Sequence, residues 1–413
     1  MRVVHFADTH IGVETYGRID PVSGLSTRVI DELKALDEVV NFVLSNRIDL
    51  VLFCGDVYKN REPSQTHQRE FAARIRLLSE AKVPTVIVVG NHDLPGSQYK
   101  ANSVDIFETL NIDNIYIARV PEIKLIETAS GPIQVAVLPW LRRNALLLHD
   151  QMKNLDIDEI IGKTREIITS ELVSMAERID TSFPAVLAAH VAVSNAKLGT
   201  ERNMMIGNDP EVMLSSIASP VYDYIALGHV HRQQVLSNEP PVVYAGSLER
   251  LDFSDEEEEK GFYVVDIFPG SPPRRAEYRF HSVNARRFLT IEVRIDNEDT
   301  DPTHIIVKTI EQRKDDLHDA IVRIRLNVPS SFSGKIRDNE IFKAAREAYN
   351  VSMAKEIRNE MGNQKQNWLR KDLTPLEALK NYLVWKNIPP DRQNKLIDYA
   401  RKLIENKLAS ERE

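Results

Sequence analysis

The 413-residue sequence predicts an α/β fold in which a β-sandwich is flanked by helices. In the first part of the chain, short apolar runs rich in β-branched residues alternate with stretches of helical spacing. After about residue 190 the pattern changes to successive strands, which supply the rest of the sandwich. A third observation is that nearly every apolar run ends in Asp, Asn or His, which indicates a site at one edge of the predicted sheets.

Five of the apolar runs are predicted to be buried strands that lead directly to these polar residues. They cover residues 3–7, 50–54, 86–89, 185–189 and 224–227. Helical spacing predicts three helices, over residues 29–45, 66–80 and 157–176. Further strands are predicted over residues 221–227, 242–245, 262–267 and 276–281.

The polar residues at the strand ends are candidate metal ligands: Asp8, His10, Asp56, Asn91, His190, His229 and His231. Asp8 and His10 are two residues apart on an extended segment, so they project to the same side. The absence of a thiolate argues against a structural zinc site of the cysteine type. Seven ligands are too many for one tetrahedral ion and suit two ions that share a carboxylate. Manganese fits this donor set best, with iron, zinc and magnesium as alternatives.

Each of these short runs alone has an ordinary explanation, such as a polar loop cap, a turn dipeptide or a core histidine. Taken together they favour a functional site, because five of the eleven histidines fall within the runs and lie next to strand signals. Two-metal sites with such ligands serve phosphoryl hydrolysis. The remaining histidines are predicted to be structural or at the surface: His5, His67, His149, His281, His304 and His318.

The order Asp-x-His, Gly-Asp, Gly-Asn-His-Asp, His and Gly-His-x-His resembles the calcineurin-like metallophosphoesterase superfamily. Within it, residues 5–12, 90–93 and 244–250 are similar to the SbcD nucleases, the bacterial and archaeal relatives of the meiotic-recombination-eleven nuclease. This resemblance extends over almost the whole chain. It implies the superfamily's four-layer β-sandwich, a small α+β capping domain and a C-terminal helix pair.

The resemblance also implies roles for individual residues. One metal would be held by Asp8, His10, Asp56 and His231, and the other by Asp56, Asn91, His190 and His229, so that Asp56 bridges the two ions. His92 would not be a ligand but would lie over the scissile phosphate, where it protonates the leaving oxygen or stabilises the transition state.

One position departs from the pattern of the relatives. Many of them carry a second histidine three residues after the bridging Asp, and here that residue is Lys59. A lysine can contact a phosphate as a point charge but cannot be the same proton partner.

The function implied is a manganese-dependent DNA nuclease with 3′-to-5′ exonuclease action on duplex ends and endonuclease action on single strands and hairpins. It would act with an SbcC-type coiled-coil ATPase in double-strand-break repair and DNA end processing, and it would form a homodimer. Two alternatives remain: a metal-dependent phosphatase or small-molecule phosphodiesterase, and a scaffold that mainly binds DNA ends.

Composition sets the compartment and the charge distribution. The single cysteine, Cys54, excludes an internal disulfide and is expected to be a buried, inert thiol. With no signal peptide and no long apolar stretch, the protein is predicted to be cytoplasmic, associated with the nucleoid and not bound to membranes. The net charge of −8 is unevenly distributed, because residues 274–413 carry +6 and the preceding residues carry −14. A charged helix surface would give the same bias, but the basic part is where phosphate contacts are expected.

Three domains are predicted: a nuclease domain over 1–283, a DNA-contacting capping domain over 284–350, and a linker with a helical partner-binding region over 351–413. The Pro- and Gly-rich stretch 268–273 is the clearest break in the pattern. Candidate phosphate contacts in the cap, which could equally be ordinary solvent-facing arginines, are Arg286, Arg287, Arg323 and Arg325. The acidic run 255–259 is expected to be a solvated loop, or alternatively a regulatory loop near the substrate entrance.

Two helices are predicted near the C-terminus. The first begins with Thr374 as N-cap and Pro375 in its first turn, and the second follows Pro389–Pro390. Their apolar stripe either binds the ATPase partner or docks on the chain itself. The stripe comprises Leu376, Leu379, Tyr382, Leu383, Leu396, Ile397, Tyr399 and Leu403.

Overall fold

A computed structural model describes residues 1–95, 100–141, 155–197, 199, 209–296, 301–332, 334–358, 375–386 and 388–410. The chain forms two compact units. The first comprises Met1–Leu289 with Asp319–Ile321, and the second comprises Thr290–His318 with Val322–Glu413. Among the described residues, none of the helices has the length and apolar character needed to span a bilayer.

Seventeen strands are found within the described residues. In chain order they are β1 (Arg2–Phe6), β2 (Leu50–Phe53), β3 (Thr85–Val88), β4 (Ile115–Ala118), β5 (Glu122–Thr128), β6 (Gly131–Leu138), β7 (Ala185–His190), β8 (Ala192–Val193), β9 (Glu211–Val212), β10 (Tyr224–Gly228), β11 (Gln234–Asn238), β12 (Pro241–Tyr244), β13 (Gly261–Ile267), β14 (Ala276–Ser282), β15 (Phe288–Arg294), β16 (Ile321–Pro329) and β17 (Asn350–Arg358).

The α-helices in the same residues are α1 (Thr27–Ser45), α2 (Gln65–Glu80), α3 (Asp105–Thr109), α4 (Ile157–Glu177), α5 (Leu214–Ile217), α6 (Pro302–Gln312), α7 (Lys314–Leu317), α8 (Asp338–Ala344), α9 (Pro375–Trp385) and α10 (Pro390–Ser410). Their starts follow local chemistry. Ser64 accepts a hydrogen bond from the His67 amide before α2, and Asp156 forms a capping box with Glu159 at the start of α4.

Two six-stranded sheets form the first unit. The first has the order β14-β13-β1-β2-β3-β4, and the second has the order β11-β12-β10-β7-β6-β5. The pairs β1–β2, β2–β3 and β3–β4 are parallel, as are β6–β7, β7–β10 and β10–β12. The carboxyl ends of neighbouring parallel strands therefore open on one edge of each sheet, where loop residues can converge.

Three apolar clusters account for the layering of this unit. One lies between the two sheets and includes Val3, Leu52, Val135 and Val186. A second packs α1 and α2 on the outer face of the first sheet, and a third packs α4 on the outer face of the second sheet. The central strands are buried on both faces, which explains why their sequences are continuous apolar runs. The predicted α/β sandwich flanked by helices is therefore confirmed.

The second unit contains a three-stranded sheet of order β15-β16-β17. Helices α6 and α8 pack on each other. The start of α6 agrees with the sequence, because Asp301 caps it and Pro302 occupies the first turn. Helices α9 and α10 also contact each other. The predicted cap at Thr374 lies outside the described residues.

Two sequence-based expectations need correction. The predicted boundary at residue 350 falls at the first residue of β17, which is a strand of the three-stranded sheet, so the small α+β unit extends further than expected. The acidic run 255–259 is not simply solvated. Asp255 and Glu258 are buried because both pair with the buried ammonium of Lys260.

Candidate metal centre

The strand ends of both sheets bring all seven candidate ligands into one region of the first unit. Asp8 and His10 follow β1, Asp56 follows β2 and Asn91 follows β3, all in the first sheet. From the second sheet, His190 is the last residue of β7, and His229 and His231 follow β10. The six charged or titratable members are 0–3% exposed. Polar side chains that are buried so close together need hydrogen-bond partners or a bound cation.

The backbone at four of these residues is strained. The φ angles are 52° at Asp8, 43° at His10, 56° at Asp56 and 100° at His229. Residues other than glycine rarely adopt positive φ, and such strain concentrates at functional sites. The rest of the fold therefore holds these side chains in orientations that an unconstrained chain would avoid.

One group of donors surrounds His10. Its Nε2 lies 2.9 Å from Nε2 of His231. A carboxylate oxygen of Asp8 and one ring nitrogen each from His10 and His231 all lie within 4.8 Å of one another. Burial lowers the pKa of His10 and of His231 well below the usual value, so both rings are neutral and can offer a lone pair.

A second group surrounds Asn91. Its Oδ1 lies 2.9 Å from His190 Nε2 and 3.2 Å from His229 Nδ1. The other nitrogen of His190, Nδ1, donates to the Cys54 carbonyl at 2.7 Å, which leaves Nε2 facing the group. Such a bond from the remote nitrogen is the usual way in which a protein orients a histidine ligand.

Asp56 lies between the two groups. Its Oδ2 is 3.7 Å from His10 Nε2 and 3.4 Å from His190 Nε2. Burial lowers the pKa of His190, but the carboxylates of Asp56 and Asp8 and the hydrogen bond to the Cys54 carbonyl together raise it, and the resulting pKa is about 9. The pocket is thus negative enough to stabilise a proton on a buried imidazole. The mixture of carboxylate, amide and imidazole donors fits borderline divalent cations such as manganese, and two groups sharing one carboxylate fit two of them.

Two glycines permit this close approach of the strand ends. Gly55 has a φ of +95°, and a Cβ atom there would lie 2.2 Å from Nδ1 of His190. A Cβ atom at Gly228 would lie 1.9 Å from the Cys54 carbonyl oxygen. The first and second sheets can therefore meet at their ligand-bearing ends only with glycine at these positions.

His92 lies beside the donor groups and is anchored by its own backbone and ring. Its amide donates to Asp56 Oδ1 at 2.8 Å, and its Nδ1 donates to the Lys59 carbonyl at 2.9 Å. The ring lies 4.9 Å from that of His10. A ring nitrogen of His92 is also within 4.8 Å of ligand atoms of His10 and Asp56, so proximity alone does not separate it from the ligands.

Asp93 ends the Gly-Asn-His-Asp motif, and the structure gives it a supporting role that the motif alone does not indicate. Its Oδ2 accepts the amides of Asp56 and Gly90 at 3.0 Å each, and Oδ1 accepts the amide of Val57 at 3.0 Å. Burial raises the pKa of Asp93 to about 6. One carboxyl group thus ties the loop after β2 to the loop after β3.

Glu32, on α1, supports the loop after β1 and was also missed. Its two carboxylate oxygens accept the amides of Gly12 and Val13 at 2.7 and 3.0 Å. Nearby, the buried guanidinium of Arg28 donates to Asp31 at 3.0 Å and to the carbonyl of Arg250 at 2.5 Å. In a sequence, such buried charges on a helix resemble the polar face of any amphipathic helix.

Trp140 and Asp209 flank His229. The indole of Trp140 stacks on the imidazole with ring centroids 4.8 Å apart, and Asp209 Oδ2 lies 3.7 Å from Nε2. Neither role could be inferred from the local sequence, because Trp140 and Asp209 belong to segments that are distant from His229 along the chain.

Residues 1–233 match the family model described as calcineurin-like phosphoesterase. The chain belongs to this family. All seven candidate ligands and His92 fall within the matched residues. The phosphoesterase is therefore a hydrolase of phosphoesters.

Among curated proteins, the phosphoesterase is similar to three that are named as the SbcD component of the nuclease SbcCD. That of Bacillus subtilis is 25% identical over 276 residues, which cover 65% of this chain and 67% of that one. That of Rhodobacter capsulatus is 26% identical over 286 residues, covering 66% and 68%. That of Staphylococcus epidermidis is 25% identical over 269 residues, covering 65% and 66%. The aligned part is thus about two thirds of each protein.

Proposed function

We propose that this phosphoesterase is a DNA nuclease that uses two manganese ions and works with a coiled-coil ATPase of the SbcC type. The observation that carries the proposal is the position of Asp56, whose Oδ2 faces His10 at 3.7 Å and His190 at 3.4 Å. The similarity to three proteins named as components of the nuclease SbcCD supports DNA as the substrate. Double-strand-break repair and DNA end processing in the cytoplasm are the proposed role.

The proposed ligands follow the two donor groups. Asp8, His10 and His231 hold one ion, Asn91, His190 and His229 hold the other, and Asp56 belongs to both. When bound, such a pair of ions lowers the pKa of a water nucleophile and stabilises the entering and leaving oxygens. The protein's part is to hold the donors in place against an unfavourable backbone geometry.

His92 is the proposed acid. Because Nδ1 donates to the Lys59 carbonyl, the ring orientation is fixed and Nε2 is the nitrogen left for substrate. A protonated Nε2 can donate to the oxygen that leaves from phosphorus, and it can also stabilise the charge that develops on the phosphoryl group. The main-chain amide of His92 donates to Asp56 Oδ1. This hydrogen bond fixes the backbone at His92 and so helps to align the Nε2 donor.

Lys59 is the proposed phosphate contact at the position where relatives carry histidine. Burial lowers the pKa of Lys59, while the carboxylates of Asp56 and Asp252 act in the opposite direction. An ammonium group there attracts the phosphodiester as a point charge but leaves proton transfer to His92.

The second unit and the C-terminal helices are the proposed sites for DNA and for the partner. The basic balance of residues 274–413 supports phosphate contact there. Arg286 is not counted among the contacts, because its guanidinium is paired with Asp31 at 2.6 and 2.7 Å. On α9 and α10, Val384 and Tyr399 are 56% and 68% exposed, which supports docking on another protein. Homodimerisation remains part of the proposal.

A substrate comparison tests the proposal. The purified 413-residue chain is assayed on end-labelled duplex and hairpin DNA and on bis-p-nitrophenyl phosphate, with manganese, magnesium, zinc or a chelator, and with or without the ATPase. We expect manganese-dependent cleavage of DNA that the ATPase stimulates. Hydrolysis of the small ester with DNA left intact would instead assign a small-molecule phosphodiesterase. DNA binding without any hydrolysis would assign a scaffold.

A further inference from the structure

A buried lysine, Lys260, contacts the loop that carries the candidate ligand His231. Lys260 is 2% exposed, although lysine is among the residues least often buried. Its Nζ donates to Glu258 Oε2 at 2.8 Å and lies 3.4 Å from Asp255 Oδ2. Taking an ammonium group out of water is unfavourable even after the protein relaxes, unless each of its three donors is satisfied. The two carboxylates satisfy two of the three.

The third acceptor is a candidate metal ligand. Nζ of Lys260 donates to the main-chain carbonyl of His231 at 3.0 Å. The same carbonyl accepts the amide of Ser247 at 3.0 Å. A Cβ atom at Gly246 would lie 2.7 Å from this oxygen, so the loop after β12 fits closely around it.

Fixing that carbonyl also fixes the direction of the side chain. The peptide orientation at His231 determines where its Cα–Cβ bond points, and the imidazole then reaches Nε2 of His10 at 2.9 Å. One of the carboxylates that hold Lys260 is itself tied to the backbone, since Asp255 Oδ2 accepts the Leu251 amide at 3.0 Å. The ammonium group of Lys260 therefore links the acidic run 255–259 to the loop that carries His231.

We propose that Lys260 is a positioning residue that holds His231 in place for the metal ion shared with Asp8 and His10. The inference rests on the proposed two-metal function. It assigns a purpose to the acidic run 255–259: Asp255 and Glu258 keep a buried cation at a ligand's carbonyl. Only one of the two donor groups contains His231, so Lys260 acts on one ion and not on the other.

Manganese binding to the purified 413-residue chain tests this role without DNA. Calorimetry gives the number and affinity of the ions, and electron paramagnetic resonance separates a spin-coupled manganese pair from isolated ions. For Lys260→Met we expect one binding step weakened about 10- to 100-fold, the range for partners that orient ligands. We expect the other manganese-binding step to keep its affinity and the resonance signal of the spin-coupled pair to be lost. Lys260→Arg, which keeps a cationic donor, restores part of the coupled signal.

Arg274→Met is the matched control. Arg274 is also a buried cation, paired with Asp223 at 3.4 Å, but its guanidinium contacts Asp223 and the carbonyls of Thr181 and Ser182 rather than the ligands. The variant should leave both binding steps unchanged even where it lowers the melting temperature. If Lys260→Met does not fold, as judged by circular dichroism, Lys260→Gln keeps a neutral amide donor and carries the test, with the same selective weakening expected at several-fold.

Two results would overturn the role of Lys260: both ions bound by the folded variant as in the wild type, or both steps weakened equally. These outcomes differ from failure of the proposed function. A wild-type protein that binds two manganese ions and cuts no DNA removes the nuclease proposal and leaves the Lys260 result to stand on binding. A wild-type protein that cuts DNA while the variant binds both ions normally removes the role of Lys260 alone.

Discussion

The imidazole of His92 donates from Nδ1 to the main-chain carbonyl of Lys59 at 2.9 Å. This bond fixes the ring relative to the loop after β2, which also carries Asp56. His92→Ala removes the proposed acid without touching the ligands. We expect DNA cleavage to fall by roughly 100- to 10,000-fold, the usual contribution of a general acid. Manganese binding, followed by calorimetry, should be unchanged.

The control for His92 is Glu80→Ala, which removes an exposed side chain from α2 in the first unit. It should cleave DNA at the wild-type rate. A His92→Ala protein that cleaves as fast as this control would contradict the assignment.

Asp56 should be required for both ions, because one of its oxygens faces both donor groups. For Asp56→Ala we expect less than one manganese ion per chain, measured by metal analysis after dialysis, and no rise in melting temperature with manganese. The free energy of unfolding of the wild type should rise by about 2.7 kcal/mol for each bound ion when free manganese is 100 times the dissociation constant of that site. His190→Ala should lose one ion only.

Asp266→Ala is the control for Asp56, because this carboxylate is partly exposed and pairs with Arg2 at 2.8 Å. It should bind two ions. Two ions retained by Asp56→Ala would exclude the bridging position.

Stability in weak acid should depend on His5. Burial lowers the pKa of this histidine to about 3, whereas in the unfolded chain it takes up a proton below about pH 6.5. The unfolded state then binds more protons, so stability is fully present above pH 6.5 and is lost as the pH falls. At pH 5 the loss attributable to His5 is about 2 kcal/mol.

Urea unfolding of His5→Gln at pH 8 and pH 5 measures this contribution. The variant should show a smaller drop between the two values than the wild type, and His304→Gln should show the wild-type drop. The same drop in His5→Gln would mean that other groups account for the acid sensitivity.

Glu32 should contribute to stability through the two amides that it accepts. Glu32→Ala leaves the half-buried N–H of Gly12 and the buried N–H of Val13 without their acceptor, so we expect a loss of about 2–3 kcal/mol in the free energy of unfolding. Urea denaturation measures it. Glu80→Ala, on an exposed helix position, should change stability by less than about 0.5 kcal/mol; equal losses would refute the anchoring role.

The exposed apolar side chains of the C-terminal helices should be needed for the partner. Tyr399→Asp should reduce co-purification with the ATPase by at least about tenfold, since burying an unpaired charge at an interface costs several kcal/mol. Manganese-dependent cleavage by the isolated chain should remain. Val22→Asp, at a position 94% exposed in the first unit, is the control. Undiminished association of Tyr399→Asp would argue that the stripe docks elsewhere.

The sandwich and the convergence of the seven donors were predictable because both depend on local patterns. A buried strand appears as an apolar run, and its carboxyl end is marked by the residue that follows it. Thus Asp8, Asp56 and Asn91 could be found from the positions of β1, β2 and β3 alone. The hairpin of β5 and β6 was not predicted; β5 is a half-buried edge strand, and such strands have a weaker pattern.

The supporting residues could not be predicted, because their partners are distant in sequence. Glu32 reaches a loop 20 residues away, and Lys260 reaches a carbonyl 29 residues away. The sequence around a Glu or a Lys does not show whether its side chain is buried or exposed. Asp255 and Glu258 were expected to be solvated for this reason; Lys260, the cation that neutralises them, is near in sequence, but its burial is not visible there.

The donors come from both sheets of the sandwich: Asp8, His10, Asp56 and Asn91 follow strands of one, while His190, His229 and His231 follow strands of the other. Ions coordinated between them would be reversible cross-links that fasten the two halves of the domain at a single edge. Cooperativity of unfolding should then depend on metal supply. In the presence of a chelator the two halves are expected to exchange amide protons independently, and on reloading they should again open as one unit.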